Sequence, residues 1–354
     1  MYLTRPPMPP SQSLPRRATV TMAMAALTAS LCALLPQALM AQAPAGMRGT
    51  LVVTNKTPGT ATIIDVASGR TLATLPTGHG PHEIVLTHDG RTAIVTDYGT
   101  GPQPGSTLTF IDVPSKRVTR TAPLGEYRRP HGLVLLPGDS LVAVTSEANR
   151  ALLLVRVATG EIAKVIPTEQ NGSHMVGITA DGTRGWTGNM GSHTVSELDL
   201  VAGKSLRTIA VPAQPEAINV TPDGREVWVG SNATGFVSVV DTRTGAVSTA
   251  AEGFGWPYRV LYSPDNRLVV MPDLRKEELR FIDRASRKEL GRLTLTGKAP
   301  QGIIFSPDGK YVFLSYSQDA TVAIIDVAAR KVLGEIKAGE TPDGVVYTPN
   351  VTTP

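Results

Sequence analysis

One short pattern, a strand-like apolar run ending in a tight turn, recurs seven times along the chain. The copies are "GPHEIVLTHDG", "RPHGLVLLPGD", "GSHMVGITADG", "QPEAINVTPDG", "WPYRVLYSPDN", "APQGIIFSPDG" and "TPDGVVYTPN". The acidic or amide residue of the turn falls at Asp89, Asp139, Asp181, Asp223, Asp265, Asp308 and Asn350, at intervals of 50, 42, 42, 42, 43 and 42 residues. A steady period in this range, with four short β segments per unit, is the signature of radial sheet repetition. It predicts an all-β, seven-bladed β-propeller of four-stranded blades. The one long interval holds "GTGPQPGS" (99–106), whose glycines and prolines predict a surface loop.

Each unit reads alike. "TLVVTN" (50–55) is followed by "TATIID" (60–65), then "SGR", then "TLATL", a Gly-rich link and "PHEIVLT". The second segment ends in an aspartate at Asp65, Asp112, Asp199, Asp241, Asp283 and Asp326, with Arg156 the exception. A carboxylate at a strand end accepts turn N–H groups, a structural role. The repeats end out of phase with the chain. The last unit supplies one segment and the first begins without it, so the C-terminal strand is expected to join the three N-terminal strands in one blade. That pairing removes the free edges of an open ring.

The first 45 residues read as an export signal, leaving 46–354 for the propeller. Arg16 and Arg17 precede the uncharged run "ATVTMAMAALTASLCALL"; Pro36 breaks it, and "AQA" or "APA" offers small residues for cleavage. An uncleaved membrane anchor is the alternative. Cleavage implies a periplasmic or secreted protein with no membrane contact, and a twin-arginine route is compatible. Cys32, the only cysteine, lies in this segment, so the mature chain would have no disulfide and no thiolate chemistry. Three of the 34 basic residues (Arg5, Arg16, Arg17) precede residue 46; the remaining 31 face 30 acidic residues. This near-neutral balance argues against nucleic acid as a partner. A monomer is expected.

With the ends "VVTN" and the unit "ATIIDVASGRTLATLPTGHGPHEIVLTHDG", the chain resembles the YVTN family of seven-bladed propellers over residues ~49–350. Similar propellers include surface-layer proteins, lactonases and streptogramin lyases. The resemblance implies the fold and leaves the activity open.

Candidate site residues follow from the columns of the repeat. Proline opens the fourth segment at Pro81, Pro130, Pro215, Pro257, Pro300 and Pro342, as a strand's first residue can. The next column reads His82, His131, His174, Glu216, Tyr258, Gln301 and Asp343. It predicts a polar funnel at one channel mouth. The following column is mostly small (Gly132, Ala217, Gly302, Gly344) but carries Glu83, Met175 and Arg259. Glu83 and Arg259 break a packing rule, which is expected where function lies. The ends of the first segments add Asp97, Glu147 and Asp273, and Arg128 and Arg129 lie in a longer link beside His131. An exported binding protein for a small anionic or sugar-like ligand, or for a protein partner, fits this set. The alternative is a lactone-opening hydrolase or lyase, with His131 or His174 as base, Arg259 as oxyanion stabiliser and Glu216 or Glu83 as acid. No cofactor is required. A divalent metal on His82, His131 and His174 is a further alternative.

Overall fold

The computed structural model describes residues 43–44 and 46–352. The expected export signal lies, except for Ala43 and Pro44, outside the described residues. Twenty-eight strands form seven four-stranded antiparallel sheets, the blades of a β-propeller. The burial pattern follows this arrangement: the second and third strands of a blade are continuous apolar runs buried on both faces, and the outermost strand alternates and is half exposed. The core therefore lies between blades. One cluster joins Ile94, Leu108 and Phe110 to Leu133, Val142 and Leu153 of the next blade. Another joins Phe313, Val322 and Ile324 to Leu51, Val53 and Ile64, sealing the last blade against the first. Each such side chain contributes roughly 1.5–3 kcal/mol on burial.

The ring closes as the repeat phase requires. β1 (Thr50–Asn55), β2 (Thr60–Asp65) and β3 (Arg70–Pro76) share a sheet with β28 (Pro342–Thr348), in the order β28-β1-β2-β3. The C-terminal strand is the innermost of that blade. Six more inner strands line the axis: β4 (Pro81–Leu86), β8 (Pro130–Leu135), β12 (Ser173–Ile178), β16 (Pro215–Val220), β20 (Leu261–Tyr262) and β24 (Pro300–Phe305).

The turn aspartates act as the repeat suggests. Asp65 accepts the Ser68 N–H, Asp112 that of Ser115, Asp283 that of Ser286 and Asp326 that of Ala329. At Arg156 no carboxylate caps the turn; the Gly160 N–H donates to the Arg156 carbonyl at 2.7 Å, and the Thr159 hydroxyl accepts the Glu161 N–H at 3.3 Å. The 99–106 insertion differs from expectation. It prolongs a hairpin, with Gly99 paired to Pro104 past a bulge, and only residues 100–103 form a loop. Gly105 makes this continuation feasible, since a Cβ there would meet the Asp97 carbonyl.

Candidate functional site

The inner strands do not run smoothly into the mouth. In β4, β8, β12, β16, β24 and β28 the pairing register shifts just after the opening Pro or Ser. The bulge covers the positions of His82, His131, His174, Glu216, Gln301 and Asp343, and bulges re-aim side chains at such rims. The seventh inner strand is the irregular one. Pro257 makes an isolated bridge to Asp273, and regular pairing resumes only at Leu261. Tyr258 and Arg259 occupy the gap; at the Arg259 position four of the other blades carry Gly or Ala.

A second column backs the first. One residue past each neighbouring strand end, the N–H bonds to the carbonyl two residues before the mouth residue. Lys56, Tyr98, Glu147, Met190, Asn232, Leu274 and Ser317 all do this, at 2.8–3.2 Å. Their side chains stand beside the mouth column. Lys56 Nζ lies 3.4 Å from Asp343 Oδ2, and Asn232 Nδ2 donates to Glu216 at 2.6 Å. The Tyr98 hydroxyl donates to Glu147 at 2.7 Å, and its ring packs edge-on to His82 and His131.

Asp343, His82, His131, His174 and Glu216 thus form an arc over five neighbouring blades. His82 Nδ1 is 2.9 Å from Asp343 Oδ2, off the hydrogen-bonding direction. The His82 and His131 rings lie 4.8 Å apart, and His131 and His174 stack at 3.7 Å with 31° between planes. His174 sits between carboxylates, 3.6 Å from Glu147 and 3.9 Å from Glu216. Glu216 also accepts the Trp256 indole N–H at 2.7 Å. Across the axis Arg259 pairs with Glu83, donates to the Tyr258 carbonyl at 2.8 Å and lies over the Tyr258 ring.

Burial sets the electrostatics. It holds the His131 imidazole well below its ordinary range, with the neighbouring His174 and His82 adding to the effect. The ring is therefore neutral near pH 7. Burial alone would raise the Asp343 carboxyl, but Lys56, His82 and Arg259 together hold it well below the carboxylate range. Burial opposes the Arg259 charge as well, and Glu83, Tyr258, Asp343 and Glu216 together outweigh it. Tyr98 is pushed up to about 12 by burial and by Glu147.

The site is a packed polar layer rather than an open funnel. His131, His174, Glu216, Tyr258, Arg259 and Asp343 are all buried. Its accessible surface comes from His82, Gln301, Lys56, Tyr98 and Glu147, each partly exposed. Beneath this layer the axis opens into a channel of about 470 Å³, with Glu83 and Arg259 at its closed end.

Sequence-derived candidates outside this layer have structural work. The Asp97 carboxylate accepts Thr107 and Thr109 hydroxyls (2.6 and 2.9 Å) and the Gly78 N–H. Asp273 accepts the N–H groups of Gly255 and Trp256. Asp273 ends its strand and Asp97 holds the same position in a strand prolonged to Gly99; both are equivalent to Asn55 and Asn189, whose amides make the corresponding bonds. Glu147 and Asn232 lie one position later. Their column, with Lys56 and Tyr98, faces the mouth, and the "VVTN" alignment obscured it by merging the two. Arg129 reaches the carbonyls of Thr100 and Gly101 and covers the Tyr98 ring; Arg128 is exposed. The three histidines do not fit a metal site. Their rings stack instead of converging, and among the described residues no three His, Asp or Glu side chains are grouped to hold an ion.

No protein-family model matches the sequence, and no curated protein matches it. Solved structures share the fold. Kuenenia stuttgartiensis hydrazine synthase superposes with a TM-score of 0.69 at 19% identity, over 81% of this chain and 94% of that chain. A functionally unknown protein from Desulfotomaculum acetoxidans DSM 771 gives 0.72 at 13% identity, over 84% and 98%. At these identities the likeness is one of architecture.

Proposed function

We propose that the chain is an exported propeller of YVTN type that binds a small polar ligand, anionic or sugar-like, or a partner's loop on its histidine face. The supporting observation is that the polar groups of the face already hold one another, by ion pair or by hydrogen bond. Arg259 is matched by Glu83, Lys56 by Asp343, and Glu216 by Asn232 and Trp256. Glu147 accepts from Tyr98. Such a face is pre-organised to recognise shape and hydrogen bonds. The test is thermal-shift and calorimetric titration with citrate, inositol and trehalose as probes. Saturable binding lost in folded His82→Ala and Glu147→Gln supports the reading. Absence of binding to all three probes, together with pull-downs unchanged by both substitutions, overturns it.

A second reading has one observation in its favour. The Asp343 carboxylate lies 2.9 Å from His82 Nδ1, close enough to stabilise a proton gained by the ring, and His82 is the most accessible of the three histidines. Lactone opening would then use His82 as base, in place of the more buried His131 or His174. Turnover of dihydrocoumarin abolished by His82→Ala would favour it over plain binding.

A further inference from the structure

The channel beneath the polar layer is a separate compartment with its own chemistry. It is lined by Val85, Val134, Leu261 and Ile304, apolar residues on four inner strands that all remain partly exposed. Asn219 is the polar member of this belt, and it is spent internally. Its Nδ2 donates to the Val260 carbonyl at 3.2 Å, and its Oδ1 accepts the Val220 N–H at 2.9 Å. The waist therefore offers an incoming molecule mostly apolar contact. Met175, also on the lining, adds an adaptable side chain.

The two ends differ. At the closed end lies the Glu83–Arg259 pair, neutral overall and set diametrically across the ring. The opposite mouth is edged by Thr87, His88, Gly90, Pro307, Thr348 and Pro349. From Glu83 to His88 is five residue steps, along β4 to Leu86 and then into the turn, at most about 17 Å at ~3.3 Å each. A channel of ≈ 470 Å³ with that length is narrow and elongated, within the volume range of small-molecule sites.

We propose that this channel binds an elongated aliphatic molecule with a neutral polar head. The ligand enters at the His88 mouth, its chain fills the Val85–Val134–Leu261–Ile304 belt, and its head meets the Glu83–Arg259 pair. A hydroxyl or amide head can donate to Glu83 and accept from Arg259 together. A carboxylate would gain Arg259 but face Glu83, and an ammonium group the reverse, so complementarity selects the uncharged head. This inference does not depend on the ligand of the histidine face.

The experiment is isothermal titration of the mature chain with 1-decanol, decanoate and decyltrimethylammonium, each below its aggregation limit. Expected is one saturable site for 1-decanol, with both charged analogues at least tenfold weaker. Val134→Trp and Leu261→Trp fill the belt and should weaken 1-decanol at least tenfold, with far-ultraviolet circular dichroism unchanged. If one tryptophan variant does not fold, the other carries the comparison. His82→Ala, in the polar layer, should bind 1-decanol as wild type does. Three results overturn the proposal: no saturable binding by wild type, equal binding by the folded tryptophan variants, or tighter binding of either charged analogue.

Discussion

At the residue scale, Asp97 shows how one position can be chosen against local stability. Its carboxyl is raised to about 6 by burial, which outweighs the hydrogen bonds from Thr107, Thr109 and Gly78. An acid whose folded pKa lies above its unfolded value of 3.8 binds more protons folded than unfolded. Its favourable contribution is full below about pH 4 and is lost as pH rises through about 6. Asn55 and Asn189 do the same job with an amide, donating to paired hydroxyls on the adjacent strand. Asp97→Asn should therefore fit without rearrangement. It should stabilise the protein by on the order of 2 kcal/mol at pH 7–8, with the gain vanishing near pH 4. Thermal melts of both proteins across that range decide it; a destabilised variant at pH 8 would show that the ionised carboxylate is needed there.

The inner strand is the element that makes the site, and it explains what the sequence could and could not disclose. Its start is legible: Pro81, Pro130, Pro215, Pro300 and Pro342 open strands, and His82, His131 and His174 do stand side by side. Less legible is what backs them. Lys56 and Tyr98 belong to a column with no common chemistry, so residue type could not mark it; only the strand end, fixed by pairing, does. Burial was also hidden, because a polar ring reads the same whether it lines a funnel or packs into a plug. The small residues at the next position carry the physical requirement for that plug. A Cβ on Gly132 would stand 2.7 Å from the His174 carbonyl oxygen, 2.8 Å from Met175 Cα and 2.9 Å from Val176 N, all backbone of the neighbouring inner strand. Gly132→Ala must push β8 from β12, costing about 1–3 kcal/mol or more. The same shift should unstack His131 from His174. Chemical denaturation reads the first effect and histidine ring chemical shifts read the second; an unchanged midpoint would mean the blades yield more easily than backbone contacts allow.

For the whole molecule, closure matters more than chain order. β28 pairs with β1 from Thr50↔Thr348 through Val53↔Val345, and the Thr50 hydroxyl donates to the Asn350 carbonyl at 2.8 Å. The described ends therefore lie side by side on one sheet. Removing residues after 340 deletes the innermost strand of that blade and strips Val345 and Val346 from two inter-blade clusters. It also removes Asp343, the partner of Lys56 and His82. Such a chain exposes an edge on both sides of the gap and should aggregate or fail to fold. A circular permutant tests whether the cause is lost pairing or a lost native terminus. Joining Asn350 to Gly49 through a short glycine-rich linker, and opening the chain at 100–103 where a loop tops an extended hairpin, keeps every blade complete. The permutant should fold to a cooperative, all-β state with a melting temperature within several degrees of the native chain. The truncation should show no cooperative transition. If both failed alike, the ring would depend on where synthesis begins and ends; if both folded, the pairing of β28 with β1 would not be what holds the ring shut.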